Sequence, residues 1–389
     1  MKPYINVIIW IILGLAIGLV VSSIFISPKT NPPQNQNLPN HSQPNPQQNN
    51  STMIPNQPTK AEISIFVIEA PACPKCNELN NFLLQQTQEQ IDNSSTVKVG
   101  VSKTISPDSE EAKMLISKYN ITLLPSMVIS NSSLMKQSMV DVWAKQLGSV
   151  EPDGSLVERN VYPPYYDLSN NTYYGFVSGI AISASNCPAC MNASYFMESL
   201  EKSSLVSMAF SNKTILEENS TQAQNLIKKY NITKLPTLFL SSDVMVYPVF
   251  NEIATYGEMK DGWFILRSVK PPFVDLTNHS IRGYVDAVYI VNSSCTDCFD
   301  ISGLSDYLVQ SAGIELSNTT SYEINSTQGA ALVKKYNLTA IPTLLFSPEL
   351  SVYPHMKEIW LNQTNSIEAD GWYVFRSYQY IQKPYQNLT

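Results

Sequence analysis

The sequence predicts an α/β protein made of three tandem copies of one small domain, set behind an apolar N-terminal span and a polar linker. Three observations carry that reading. Short segments recur at intervals of just over 100 residues. Each copy alternates β-rich runs with amphipathic helical stretches, the pattern of a sheet with helices packed on it. All six cysteines fall into Cys-x-x-Cys pairs, one per copy. The 389 residues, 43% apolar and 15% charged, suffice for several cores. The net charge is −7 and no segment is strongly basic, which argues against nucleic acid as a partner, since phosphate neutralisation needs clustered Lys and Arg. The histidines, His41, His279 and His355, are far apart and form no metal-spaced cluster, against a His-based zinc enzyme.

Ile5 to Ile26 is nearly unbroken apolar sequence, long enough as a helix to cross a bilayer core of ~30 Å. A cleaved signal peptide is the competing reading, with small residues at Val21-Ser22-Ser23. The run exceeds the ~7–15 residues of a signal h-region, which favours a retained anchor over residues 1–27. Lys2 before the span favours an N-terminus inside and a body outside, hence a single-pass cell-membrane protein. Residues 28–60 are rich in Pro, Asn and Gln and poor in apolar side chains, so they cannot offset chain entropy by burial and read as a disordered tether. About 18 Asn-x-Ser/Thr sequons, some three times what composition alone would place, point to glycosylation at an outer surface. Together with the anchor they hint at an archaeal cell surface. Some have structural readings instead: Asn120, Asn231 and Asn337 as left-handed helix caps, Asn219 and Asn325 as N-caps.

The copies are placed at 61–173, 174–282 and 283–389. Lys118-Tyr119-Asn120-Ile121-Thr122 recurs as Lys229 to Thr233 and as Lys335 to Thr339. Each is followed by Leu-Pro or Ile-Pro, with the prolines at 125, 236 and 342. Asp153-Gly154 recurs as Asp261-Gly262-Trp263 and Asp370-Gly371-Trp372, with Arg159, Arg267 or Arg376 six residues after the Asp. Pro163-Pro164 to Leu168 recurs as Pro271-Pro272 to Leu276. Within each copy a first strand (63–68, 179–182, 287–291) leads to a helix, with Ala193, Phe196, Met197 and Leu200 as one apolar stripe. A second helix follows, its frame being Ala112, Leu115, Ile116 and Tyr119 in the first copy. Its start has capping-box spacing at Asp108…Glu111, Asn219…Gln222 and Asn325…Gln328.

The pairs Cys73/Cys76, Cys187/Cys190 and Cys295/Cys298 sit between the first strand and first helix of their copies. A thiol at a helix N-terminus meets unpaired N–H groups and the positive dipole end, which favours thiolate. A second cysteine one turn on can close a disulfide and release a bound partner. Three other readings compete. A Cys₄ zinc site or an iron–sulfur cluster would need two pairs that lie over 100 residues apart to converge. Inert structural disulfides suit any exported chain.

A strand, Cys-x-x-Cys at a helix start, a second βα unit and Ile-Pro-Thr or Leu-Pro-Thr opening a strand resemble the thioredoxin superfamily. The cysteine-to-proline distances of 52, 49 and 47 residues are similar to that family's. The resemblance runs from residue 61 to about 350, three times over. It implies three thioredoxin-like domains, Cys73, Cys187 and Cys295 as nucleophiles, and Cys76, Cys190 and Cys298 as resolving thiols. It also implies that Pro125, Pro236 and Pro342 are cis prolines that face the cysteines and bind substrate backbone, and that no organic cofactor is needed. The sequence departs from the pattern in three places. Ala72, Asn186 and Ser294 stand where a Trp often precedes the cysteines. The first strands offer no buried carboxylate, Glu69 being the only nearby candidate. The run 261–268 reads as a strand where thioredoxin ends in a helix.

The residues between the cysteines differ in charge: Lys75 in the first pair, Ala189 in the second, Asp297 in the third. A cation favours thiolate and an anion disfavours it, so the first pair is expected to be the most oxidising and the third the least, provided the helix starts match. The resulting expectation is a membrane-anchored, extracytoplasmic thiol–disulfide oxidoreductase, resembling protein disulfide isomerase. Its partners would be exported proteins with thiols or disulfides, together with a membrane redox partner. The alternative is a glycosylated surface scaffold whose disulfides are structural.

Overall fold

The structure is a computed structural model that describes residues 61–93, 97–184, 186–203 and 206–388. The expected span at Ile5–Ile26 and the linker at 28–60 lie outside the described residues. Among the described residues, no helix is long and apolar enough to cross a membrane. They fall into two compact units, one ending at Gly175 and one beginning at Phe176.

The first unit is built on β1 (Ala61–Ile68), α1 (Pro74–Asp92), β2 (Val97–Ile105), α2 (Glu110–Tyr119), β3 (Leu123–Leu124) and β4 (Ser126–Ile129). α3 (Gln137–Val142), β5 (Gly148–Val150), β6 (Leu156–Glu158), β7 (Tyr165–Asp167) and β8 (Thr172–Tyr174) complete it. Its main sheet has the order β2-β1-β4-β6-β5, and β1 is parallel to β2 and antiparallel to β4. Ile63, Ile65, Met127, Ile129, Trp143 and Leu156 form one buried cluster on this sheet. A second, three-stranded sheet joins β3 to the hairpin β7–β8.

The second unit repeats the plan twice. Its first sheet, β10-β9-β12-β14-β13, uses β9 (Phe176–Ser183), β10 (Ala209–Glu217), β12 (Thr237–Ser241), β13 (Gly257–Lys260) and β14 (Trp263–Leu266). β11 (Lys234–Leu235) carries the hairpin β15 (Phe273–Asp275) and β16 (Ser280–Arg282). The helices are α4 (Ala193–Lys202), α5 (Thr221–Tyr230) and α6 (Phe250–Ile253). The second sheet, β18-β17-β20-β22-β21, uses β17 (Tyr284–Val291), β18 (Glu315–Glu323), β20 (Thr343–Phe346), β21 (Ser366–Ile367) and β22 (Tyr373–Val374). β19 (Ala340–Ile341) pairs with β23 (Gln386–Asn387), and the helices are α7 (Ile301–Ala312), α8 (Thr327–Lys335) and α9 (Met356–Asn362). Glu349 ties the two repeats together, accepting from Arg282 Nε at 2.9 Å and from the Gly283 amide at 2.8 Å.

The recurring motifs turn out to be fasteners. Arg159 donates to the carbonyls of Tyr119 (2.7 Å) and Asn120 (3.2 Å) and to Glu151 (2.8 Å). Arg267 does the same for Tyr230, Asn231 and Glu258, and Arg376 for Tyr336, Asn337 and Glu368. Each guanidinium thereby satisfies open carbonyls at the end of the second helix and suits its negative dipole end. The Asp of each Asp-Gly pairs with the Lys of Lys-Tyr-Asn, at 2.6, 3.3 and 2.7 Å. Asn120, Asn231 and Asn337 adopt positive φ, near +50°, at the helix ends as expected. The N-caps are one residue later than expected. Ser109, Ser220 and Ser326 accept the Ala112, Ala223 and Gly329 amides, which leaves Asp108, Asn219 and Asn325 outside the helix. Hydroxyl geometry at that position gives the same spacing to the third residue of the helix.

The Pro-Pro pairs lie against the turn that leaves each hairpin. Gly175 has φ +90°, and a Cβ there would come within 2.7 Å of Pro163; Gly283, at φ +99°, would meet Pro271 at 2.6 Å. Only glycine fits both the backbone and the space.

Candidate functional site

Each Cys-x-x-Cys loop leaves the C-terminal end of the first strand, and the residue after the motif proline pairs with the last residues of that strand. Ser126 pairs with Ile68, Thr237 with Ile182, and Thr343 with Ile290. The side-chain oxygens of these three residues donate across to the next strand, to the carbonyls of Glu158, Leu266 and Phe375. A first strand with one parallel and one antiparallel neighbour, followed directly by a cysteine pair, therefore recurs in all three repeats. The architecture is tandem thioredoxin-like.

No protein-family model and no curated protein matches the sequence. Among solved structures, full-length ERdj5 aligns at 10% identity over 74% of this chain and 41% of its own, with a TM-score of 0.14. The chain thus spans about two fifths of that protein. Human ERp44 aligns at 8% identity over 78% of this chain and 87% of its own, with a TM-score of 0.15. The first two thioredoxin domains of Saccharomyces cerevisiae Eps1p align at 12% over 56% and 92%, with a TM-score of 0.15.

All three cysteine pairs are closed disulfides, with Cα–Cα distances of 5.3, 5.3 and 5.5 Å. Their surroundings differ. In the first repeat Cys73 is the N-cap of α1, Pro74 opens the helix, and the Cys76 amide donates to Cys73 Sγ at 3.2 Å. This is the arrangement expected from the sequence, with the sulfur at the positive end of the helix. The other two repeats depart from it. α4 and α7 begin three residues after the second cysteine, and both pairs occupy turns, closed by Cys190 N–H to Cys187 O (3.1 Å) and Cys298 N–H to Cys295 O (3.3 Å). Asn192 caps α4 through the Ser194 and Tyr195 amides, and Asp300 caps α7 through the Ser302 amide. The expectation of matched helix starts is thus corrected. The reason lies two residues past the second cysteine: Asn192 and Asp300 stop the helix there, whereas Glu78 in the same place continues it.

The charges between the cysteines are also moderated. Lys75 is paired at 2.7 Å with Glu78 on the solvent side, so its cation is not reserved for the thiols. Asp297 is exposed. Cys73, Cys76, Cys187 and Cys190 are buried, whereas Cys295 and Cys298 are half-buried. The peptide bonds before Pro125, Pro236 and Pro342 are cis.

The first repeat holds a buried carboxyl that sequence reasoning missed. Glu158, 3% exposed at the end of β6, accepts from the Met127 amide (2.9 Å) and from Asn80 Nδ2 (3.1 Å). Burial pushes its pKa up to about 7, against the lowering effect of those two bonds. Asn80 is 2% exposed and four residues after Cys76, so it lies on the same helix face. Leu266 and Phe375 precede the corresponding arginines in the other repeats, so a carboxyl at this position belongs to the first repeat alone. Glu69, the sequence candidate, is only half-buried and its amide bonds Ile105.

Beside Cys187 lies a cleft of about 270 Å³ lined by Asn186, Glu218, Asn219, Val274, His279 and Ile281. Val274 and Ile281 come from the hairpin β15–β16. In the first repeat the matching hairpin reaches the cysteine loop directly, where Tyr173 Oη donates to the Pro71 carbonyl. In the third repeat Pro384 to Leu388 takes this place, with the Phe299 amide donating to Pro384 O at 3.0 Å. Pro384-Tyr385-Gln386-Asn387-Leu388 is a third copy of Pro164-Tyr-Tyr-Asp-Leu168 and Pro272-Phe-Val-Asp-Leu276, legible in the sequence once amide and acid are treated as equivalent.

Proposed function

We propose that the chain is a membrane-anchored, extracytoplasmic thiol–disulfide oxidoreductase acting on exported proteins, with Cys73 as its principal nucleophile and Cys76 as the resolving thiol. The observation that carries this is the placement of the 73/76 disulfide at the start of α1, where the helix end and the Cys76 amide favour a Cys73 thiolate. A client thiolate attacks one sulfur, the Cys–Cys bond breaks as a mixed disulfide forms, and a second thiol takes the mixed disulfide apart. The domain boundaries near 173 and 282, the redox partner in the membrane and the glycan coat belong to the same proposal. In the full chain, Cys73→Ser is expected to remove exchange at this pair, and Cys76→Ser to accumulate mixed disulfides with clients on non-reducing gels. Unchanged exchange in both variants contradicts the reading. A mature N-terminus after Ser23 by mass spectrometry replaces the anchor with a signal peptide.

For the second repeat one observation favours a structural disulfide: Cys187 and Cys190 lie in a turn, and the first amides of α4 are taken by Asn192 and not by a sulfur.

A further inference from the structure

We propose that the segment Pro384–Leu388 is a strap that occupies a strand-docking edge beside the Cys295–Cys298 disulfide, and that an extended thiol-bearing polypeptide reaches this pair by exchanging for the strap. The inference rests on the exchange chemistry proposed above.

The edge is β19, Ala340–Ile341, immediately before Pro342. β23 pairs with it antiparallel, Ala340 opposite Asn387 and Ile341 opposite Gln386. The Leu388 amide donates to Thr339 O at 2.7 Å. Antiparallel partners alternate between bonded and non-bonded pairs, so the bond at 339/388 places the pair 341/386 in the bonded phase. The N–H and C=O of Ile341 are therefore turned to Gln386 and closed to any other strand. Asn292, on the loop that leads to Cys295, adds a bond from its Nδ2 to Gln386 Oε1 at 2.7 Å. The strap begins at the cysteines: Pro384 O accepts from the amide of Phe299, the residue after Cys298.

These bonds define what can replace the strap. The occupant is an extended backbone that runs antiparallel to β19 and carries its thiol at the place of Pro384. It also carries Leu four residues later, because Leu388 packs on the cluster containing Tyr336, Ile341 and Leu345. Main-chain pairing supplies affinity and alternate side chains supply selection, as in strand addition to a sheet edge. The other repeats close the same edge with Tyr166 and Val274, but their disulfides are buried, whereas the third pair is half-buried.

The probe is the capped peptide Cys-Tyr-Gln-Asn-Leu, with the reversed peptide Leu-Asn-Gln-Tyr-Cys as control. Two peptide thiols reduce one protein disulfide and leave as a peptide disulfide, so the reaction balances at two electrons. Reduction of Cys295–Cys298 is followed in the full chain by alkylation and peptide mass spectrometry. The forward peptide is expected to react faster than the reversed one. Gln386→Pro removes the strap's amide donor, and Gln386→Ala keeps it. Gln386→Pro is expected to raise the forward rate about tenfold, the weight of one or two net backbone hydrogen bonds. Under the same substitution the rate with dithiothreitol should change less than about twofold, because a small thiol needs no strand edge. Equal rates for the two peptides, or equal acceleration for peptide and dithiothreitol, overturn the proposal. A redox-silent readout separates it from the exchange reading. Saturating Ser-Tyr-Gln-Asn-Leu should abolish hydrogen-exchange protection of the Leu388 amide while Ile341 stays protected. Retained protection at Leu388 overturns the strap even if exchange proceeds. Lost protection without any reduction overturns the exchange chemistry and leaves the strap standing.

Discussion

The first and second cysteine loops share spacing, a proline beside the first cysteine, a preceding strand and a following helix, yet one disulfide caps its helix and the other does not. The difference comes down to Glu78 against Asn192, two residues beyond the second cysteine. An Asn can accept the amides of its own next turn and start a helix there; a Glu prefers to continue one. In the first repeat α1 runs back to Pro74 and aims its N-terminal amides at Cys73. In the second and third, the Asn192 and Asp300 side chains take those amides, and the cysteines are left in a turn. A helix start, and with it the electrostatics of a thiol, can thus be set by a residue outside the Cys-x-x-Cys motif.

The largest effect expected from this contrast concerns Glu158, which only the first repeat possesses. Its folded pKa, about 7, lies above the ordinary 4.5, so the folded state keeps a proton that the unfolded chain releases. The stabilisation is fully present below the unfolded pKa and is lost as pH rises to about 7, on the order of 3 kcal/mol in all. Urea unfolding of the full chain, followed by hydrogen exchange in the first repeat, should show stability falling between about pH 5 and pH 8. Glu158→Gln should remove that fall. An equally steep fall in the variant would remove Glu158 from the account.

A smaller effect is expected at the caps. Asn192→Ala should destabilise the second repeat by about 1 kcal/mol, within a range of ~0.5–2, read as a shift in urea midpoint. Glu78→Ala should cost under ~0.5 kcal/mol, because it removes only a solvent-facing pair with Lys75. Similar losses in both variants would mean that the two helices start alike in solution.

Much of this was legible in the sequence because it is local or repeated. First strands, second helices and left-handed Asn caps follow from runs of adjacent residues, and the threefold recurrence confirms their frame. The Asp-Gly and Arg motifs were visible as repeats, but their task was hidden, since Arg159 bonds carbonyls 39 and 40 residues away. The strap strands are two or three residues long and pair with two-residue edges, too short to register as alternation. The third strap went unseen because Asn387 stands in place of Asp. Glu158 in Leu-Val-Glu-Arg carries no local sign of burial; its partners, Asn80 and Met127, come from a helix and a strand elsewhere in the chain. The helix starts could have been read from Asn192-x-Ser and Asp300-x-Ser, a capping signal overshadowed by the cysteines beside it.

The smallest effects should come from the residues between the cysteines. Lys75 is shared with Glu78 and partly open to solvent, so Lys75→Asp should lower the potential of the first pair by no more than about 20 mV, the equivalent of ~1 kcal/mol for two electrons. Asp297→Lys should raise that of the third by a similarly small step. A shift several times larger in either would return control to the intervening charge.

The central claim is that a helix end, present at one pair and absent at two, sets the redox ranking. Equilibrating the full chain in graded glutathione buffers, alkylating, and quantifying each pair by mass spectrometry measures all three potentials in one molecule. A helix N-terminus is worth ~0.3–2 kcal/mol to an anion, so Cys73–Cys76 should be the most oxidising pair by roughly 10–40 mV, with the other two close together. Three equal potentials, or a first pair more reducing than the other two, would contradict the account.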